Sequence, residues 1–111
     1  MLNHLNLAVE SPPDLARFLV TYAGMTLTHG DNPAFMFLTD ANGVVLGLMR
    51  DRTAAYPATF HIGFILADPA ALAATRARLE SDGHAVTPEG SGESFHLWIG
   101  ALMIQFLAKT A

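Results

Sequence analysis

The feature that most constrains this chain is a repeat of about half its length. HLNL at positions 4–7 is matched by HIGF at positions 61–64, 57 residues further along the chain. Each copy continues with a helical segment and then with three short apolar segments that turn residues separate. The repeat therefore predicts an internal duplication of one structural unit.

The first copy has the pattern of a strand, a helix and three strands. LNHLNLAVE alternates apolar and polar residues, which is typical of a half-buried strand. The helix is predicted to begin at Ser11 as N-cap, with Pro12 in its first turn, and to end at Gly24. The turn signals GDNP and ANG then divide residues 25–51 into the strand candidates MTLTH, AFMFLTD and VVLGLMRD.

The second copy repeats this order. TFHIGFIL predicts a strand, and the following helix is predicted to begin at Asp68 and to end at Gly83. HAVTP, ESFHLWI and ALMIQFLA complete the strands, and EGSG is assigned to a turn. We predict a single α+β domain over 1–111, with βαβββ modules over 1–51 and 59–108 and a linker over 52–58. The two mixed sheets are expected to curl into a cup with the helices outside.

Composition narrows the classes of function. The chain has no cysteine, which excludes disulfides and thiolate metal sites. Ten acidic against six basic residues give a net charge of -4, and the basic residues are scattered, so no nucleic-acid partner is expected. No apolar run approaches the roughly 18 residues of a spanning helix, which predicts a cytoplasmic protein without a membrane partner. Charged residues make up only 14% of the chain, so we expect an apolar surface that pairs two copies as a homodimer.

Two histidines hold equivalent positions in the repeat. His4 and His61 each open the first strand of a copy, so both are expected to point into the same cup. Paired histidines in a concavity suggest a divalent metal site. The alternative is that each histidine bonds to the backbone or to water. His61 lies in a strongly apolar strand, where a buried imidazole without a partner would cost roughly 1–3 kcal/mol.

These motifs resemble those of the vicinal oxygen chelate superfamily, which includes glyoxalase I, bleomycin and fosfomycin resistance proteins and extradiol dioxygenases. The resemblance lies in NHLNLAV, FLVTYAGMTL, HIGF and LESDGHAV, and it spans residues 1–108. It implies one divalent metal ion, with iron, manganese, nickel and zinc as candidates, bound by His4, His61 and Gln105. The alternative for Gln105 is a polar residue inside a strand that is hydrogen-bonded to a neighbour. The fourth ligand position falls on Gly47, or on Leu48 if the register shifts by one residue, and neither can ligate.

The same resemblance argues against glyoxalase I activity. That reaction resembles proton abstraction beside a carbonyl held on the metal, with glutamates at two strand ends as ligands and base. This chain has Gly47 and Gln105 at those positions, and we assign no catalytic residue. Two functions remain: binding of a small hydrophobic or aromatic ligand in the cup, or a metal-dependent enzyme of the dioxygenase or lyase type. A structural domain with a filled cup is a third alternative.

The ligand-binding residues are predicted from strand alternation. His96 and the single tryptophan, Trp98, lie on one face of their strand and would supply a polar group and a stacking surface. The alternative for His96 and Trp98 is that at least one of them points outward from the cup. For the other lining residues it is ordinary core packing, or, for Asn6, a hydrogen bond across the strand ends. The predicted ligand-binding set is Asn6, Phe37 (or Phe35), Met49, His96 and Trp98.

Overall fold

The computed structural model describes residues 1–109 and confirms the repeated order of elements. The chain divides into two units, Met1–Ala55 and the part from Tyr56 onward, and the division falls inside the predicted linker. The elements in chain order are β1 (His4–Val9), α1 (Pro12–Tyr22), β2 (Thr26–His29), β3 (Phe35–Thr39), β4 (Val45–Arg50), β5 (His61–Leu66), α2 (Pro69–Ser81), β6 (Thr87–Glu89), β7 (Ser94–Ile99) and β8 (Leu102–Ala108).

The first unit contains one mixed sheet with the strand order β1-β4-β3-β2. β1 runs parallel to β4, and the other neighbours are antiparallel. α1 packs on one face of this sheet, where Leu19, Leu38 and Leu48 are fully buried. The helix begins as predicted, because the Ser11 hydroxyl accepts a hydrogen bond from the backbone N–H of Asp14 at 3.4 Å.

The second unit contains the corresponding mixed sheet, with the order β5-β8-β7-β6 and β5 parallel to β8. α2 packs against β5 and β8, and its Leu79 is fully buried. The rings of Phe95 and Phe106 stack beneath it with centroids 5.3 Å apart. The carboxylate of Asp68 caps the helix by accepting a hydrogen bond from the N–H of Ala71 at 2.7 Å.

The strand registers confirm the duplication residue by residue. In each unit the first strand pairs with the last, and positions related by the repeat take the same place in the pairing. The equivalent pairs are His4 with Val45 and Asn6 with Gly47 in the first unit, and His61 with Met103 and Gly63 with Gln105 in the second. Gly47 and Gln105 are therefore equivalent positions of the two modules.

The largest difference from a predicted strand boundary is in β6. The sequence predicts a strand over 84–88 and a turn from Glu89, whereas β6 runs Thr87–Glu89. His84 instead belongs to the C-terminal end of α2, because its backbone N–H donates to the carbonyl of Leu79. Gly83, with φ of +92°, donates its backbone N–H to the carbonyl of Glu80 in the last turn of the helix. Pairing with β7 places Glu89 opposite Ser94, so Glu89 belongs to the sheet.

The two helices are short. Among the described residues, neither is both long enough and apolar enough to cross a membrane.

Candidate functional site

Each sheet has one face covered by its helix and one face that the helix leaves uncovered. In β7 the buried Phe95 and Leu97 alternate with the half-buried His96 and the exposed Trp98. We call the face that carries His96 the open face of the second sheet. It carries His61, Gly63 and Ile65 from β5, Thr87 and Glu89 from β6, Ser94, His96 and Trp98 from β7, and Met103, Gln105 and Leu107 from β8.

Glu89 is the centre of a polar cluster on this face. Its Oε1 accepts hydrogen bonds from the Ser94 hydroxyl at 2.7 Å and from Gln105 Nε2 at 2.9 Å. Its Oε2 lies 2.9 Å from His96 Nδ1. The Gln105 amide, the Ser94 hydroxyl and, to a smaller extent, His96 lower the pKa of Glu89 to about 2, against the opposing effect of partial burial. Glu89 is therefore a carboxylate at neutral pH.

The charge of Glu89 fixes the orientation of two neighbouring side chains. A carboxylate can only accept hydrogen bonds, so the neutral imidazole of His96 carries its proton on Nδ1, and Nε2 keeps the lone pair. For the same reason Gln105 turns its amide nitrogen toward Glu89 and keeps Oε1 available as an acceptor. The two acceptor atoms, His96 Nε2 and Gln105 Oε1, therefore make no hydrogen bond to Glu89.

His61 lies on the same open face, two residues before Gly63, which pairs with Gln105. Its side chain is exposed, so the desolvation cost considered for a buried imidazole does not arise. Its Nδ1 lies 2.9 Å from the carbonyl oxygen of Thr59. A carbonyl only accepts, so in the neutral ring Nδ1 donates the hydrogen and Nε2 keeps its lone pair.

The first unit brings Asn6 and Phe37 together over Gly47. Both residues pair with Gly47 in the strand registers, and a Cβ added to Gly47 would collide with Asn6 Oδ1 and lie 3.2 Å from Phe37 Cε1. The Asn6 amide thus fills the space that a ligand side chain at Gly47 would need. His4 and Met49 share this face by alternation, and His4 Nδ1 lies 3.0 Å from Asn3 Oδ1.

No three side chains of histidine, aspartate or glutamate within residues 1–109 form a group that could hold a metal ion. The predicted set of His4, His61 and Gln105 contains an amide and draws on both units. This three-residue site stays a prediction.

Sequence reasoning missed Glu89 and Ser94. The EGSG segment has the composition of a loop, so the sequence predicts a turn for all four residues, Glu89 included. The available signal is the hairpin that surrounds this loop: antiparallel pairing of its two flanks sets Glu89 opposite Ser94, on the face that also carries His96.

Two cavities lie beside the helices, and the smaller one also touches Ser94 of the polar cluster. One, of about 490 Å³, lies between α1 and the strands β2 and β3, with Val20 and Leu27 in its wall. The other, of about 180 Å³, lies between α2 and β7 beside Arg76 and Phe95. Neither is lined by a predicted ligand-binding residue, and we name the first the helix-side groove.

The pKa of Glu89 predicts a contribution to stability that depends on pH. Because its pKa is lower in the folded chain, this contribution is complete above the unfolded value of 4.5 and is lost as the pH falls toward about 2. We expect about 1–2 kcal/mol, less than the full shift implies, since the group is partly exposed. Urea unfolding at about pH 6 and about pH 3 should show part of this loss in the wild type and not in Glu89→Gln, since at about pH 3 the folded carboxyl is still mostly ionised. Equal pH dependence in both proteins would contradict it.

Comparisons with known proteins agree with the architecture. A family model described as the Glyoxalase/Bleomycin resistance protein/Dioxygenase superfamily matches residues 1–99. The chain belongs to this superfamily, as the resemblance in its motifs implied. None of the curated proteins matches it.

Similar solved structures come from the same group of proteins. A "possible Glyoxalase" from Bacillus cereus is 29% identical with a TM-score of 0.89, over 96% of this chain and 97% of that one. The fosfomycin resistance protein FosX from Listeria monocytogenes is 19% identical with a TM-score of 0.80, over 99% of this chain and 91% of that one. A variant of FosX, 18% identical with a TM-score of 0.77 over 99% of this chain and 92% of that one, was solved with Mn(II) and 1S,2S-dihydroxypropylphosphonic acid.

Proposed function

We propose that this chain binds a small hydrophobic or aromatic molecule on the open face of the second sheet. The observation that carries the proposal is the contrast between exposed apolar side chains and the polar cluster beside them. Ile65 is 68% exposed, Trp98 48% and Leu107 36%, and all three share the face of Glu89 and His96. Exposed apolar surface around a few oriented polar groups is typical of a ligand site.

Each part of this face has a role in the proposal. Trp98 supplies a flat surface on which a ring can stack. His96 Nε2 and Gln105 Oε1 supply hydrogen-bond acceptors that orient the ligand. In the first unit, Asn6, Phe37 and Met49 are proposed as further ligand-binding residues, since the amide and the aromatic ring adjoin each other above Gly47.

The test of this proposal is a titration with small uncharged aromatic compounds. Trp98 is the only tryptophan, so its fluorescence reports directly on the open face of the second sheet. We expect saturable changes in Trp98 fluorescence for at least some aromatic compounds, and none for aliphatic sugars of similar size. The absence of a saturable change with every aromatic compound, checked by ligand-observed NMR, would refute the proposal.

A second candidate is a divalent-metal-dependent enzyme of the dioxygenase or lyase type. The favouring observation is that Nδ1 of both His4 and His61 lies at hydrogen-bond distance from an oxygen atom, which leaves Nε2 for a metal. Gln105 Oε1 would be the third ligand, and the three donors fit the chemistry of a divalent ion. When bound, the metal would supply Lewis acidity to a substrate oxygen. Three uncharged ligands predict weaker binding than a set that contains a carboxylate.

This candidate predicts a metal content that depends on His61. Protein purified without chelator should carry near-stoichiometric iron, manganese, nickel or zinc by elemental mass spectrometry, and His61→Ala should lose it. His84→Ala is the matched control, because this residue belongs to the C-terminal end of α2 and is outside the candidate set. No metal in the wild type, and no uptake when the metals are added back, would reject this candidate.

A further inference from the structure

We infer that the open face of the second sheet selects uncharged rings that carry hydroxyl or amino hydrogens, because Glu89 holds His96 and Gln105 as a pair of acceptors beside Trp98. This inference rests on the proposed ligand-binding function and names the chemical class of its ligand. It also assigns Glu89 as a positioning residue that acts through its two neighbours.

Glu89 takes up three hydrogens, and the Ser94 hydroxyl supplies one of them. It also accepts one hydrogen from His96 Nδ1 and one from Gln105 Nε2, both at 2.9 Å. Each neighbour could otherwise present either a donor or an acceptor, since imidazole tautomers interchange and amides can turn over. With Glu89 in place, Nε2 of the neutral His96 ring and Gln105 Oε1 remain as acceptors, beside the second hydrogen of Gln105 Nε2, and the ligand groups that match the two acceptors are donors.

The three groups are spaced so that one ring can reach all of them. His96 and Gln105 are direct partners in the β7–β8 register, so their Cβ atoms lie about 4.5–5.5 Å apart on one face. Trp98 follows His96 on the same face, about 7 Å along the strand. A single ring stacked on the indole can therefore direct one polar substituent toward the acceptor pair.

Access to the acceptor atoms depends in part on Gly63. Gln105 Oε1 and Leu107 Cδ1 each lie 3.6 Å from the point where a Cβ of Gly63 would stand. A side chain at this position would therefore contact the amide oxygen. The glycine thus keeps one approach to the acceptor pair open, in contrast to Gly47, whose corresponding space is taken by Asn6.

The charge of the open face also limits which ligands can bind. Glu89 is negative, and the residues assigned to the open face of the second sheet include no lysine or arginine. The basic residues of this unit are Arg76 and Arg78 on α2 and Lys109 after β8. A carboxylate or phosphonate would meet two lone pairs and a like charge with no cation on the face, which disfavours anionic ligands.

The test compares three rings of the same size by fluorine NMR titration at neutral pH: para-fluorophenol, para-fluoroaniline and para-fluorobenzoate. We expect the phenol and the aniline to bind at least about tenfold more tightly than the benzoate, as one gained hydrogen bond and one avoided repulsion imply. In Glu89→Gln the preference should fall below about threefold, because a neutral amide no longer dictates which hydrogens its neighbours present. Glu93→Gln, in the adjacent turn, is the matched control and should keep the wild-type preference.

A second readout separates positioning from a merely structural role. Nitrogen-15 NMR of the imidazole should show His96 as the Nδ1–H tautomer in the wild type and in Glu93→Gln, and a mixture of tautomers in Glu89→Gln. If no ring binds the wild type, the proposed function fails and the inference with it. If rings bind but the benzoate binds as tightly as the phenol, or if Glu89→Gln keeps the full preference, the inference fails while the proposed function stands.

Discussion

Phe106→Ala should lower the free energy of unfolding by about 3–5 kcal/mol, whereas Leu107→Ala should lower it by about 1 kcal/mol or less. Phe106 is fully buried, and its ring lies 5.3 Å from that of Phe95 and 5.8 Å from that of Phe64. Removing it leaves a cavity between the sheet and α2. Leu107, the next residue of β8, is 36% exposed on the opposite face.

This pair of variants tests the register of β8 as well as the core. Denaturant unfolding measures both changes against the wild type. Because alternate residues of a strand face opposite ways, a shift of one residue would exchange the two effects. Costs of similar size, or a larger cost for Leu107→Ala, would remove Gln105 from the open face and would contradict the site described here.

Trp98→Ala should weaken binding of a small aromatic ligand such as para-fluorophenol by at least about tenfold. Stacking on an aromatic side chain contributes roughly 1–3 kcal/mol per ring, and the alanine removes the whole surface. Because Trp98 is 48% exposed and lies outside the buried core, we expect only a small change in stability. Calorimetry or fluorine NMR gives the affinity without relying on the lost fluorophore.

Val20→Ala is the matched control for this prediction. Val20 is 46% exposed and lines the helix-side groove between α1 and the strands β2 and β3. Its truncation removes exposed apolar surface from the first unit and should leave the affinity unchanged. A loss of affinity in Val20→Ala, with Trp98→Ala unaffected, would place the ligand in that groove.

The fold is readable from the sequence because local signals agree with the repeat. Ser11 and Asp68 each precede a proline and cap a helix, and Gly24 and Gly83 follow the helices in the left-handed conformation that glycine tolerates. Strict alternation in β7 likewise places His96 on the same face as Trp98, as predicted. These features depend on residues close together in sequence.

The polar cluster could not be predicted in the same way. Glu89 is the last residue of a short edge strand that contains a proline, and its place in the sheet depends on pairing with β7 rather than on propensity. Its contact with Gln105 joins positions 16 residues apart in the chain and needs side-chain geometry. The contact by which Asn6 fills the space beside Gly47 also depends on side-chain geometry, which the sequence does not give. The homodimer and the three-residue metal site stay predictions.

The measurement that tests the central claim most directly is the location of a bound aromatic ligand. Two-dimensional NMR of the labelled protein, titrated with para-fluorophenol, resolves the indole N–H of Trp98 and the side-chain amide of Gln105 separately from the backbone. We predict that both signals move in a saturable way while those of Val20 and Leu27 stay fixed. Shifts confined to Val20 and Leu27 would show that the ligand occupies the helix-side groove and would contradict the site on the second sheet.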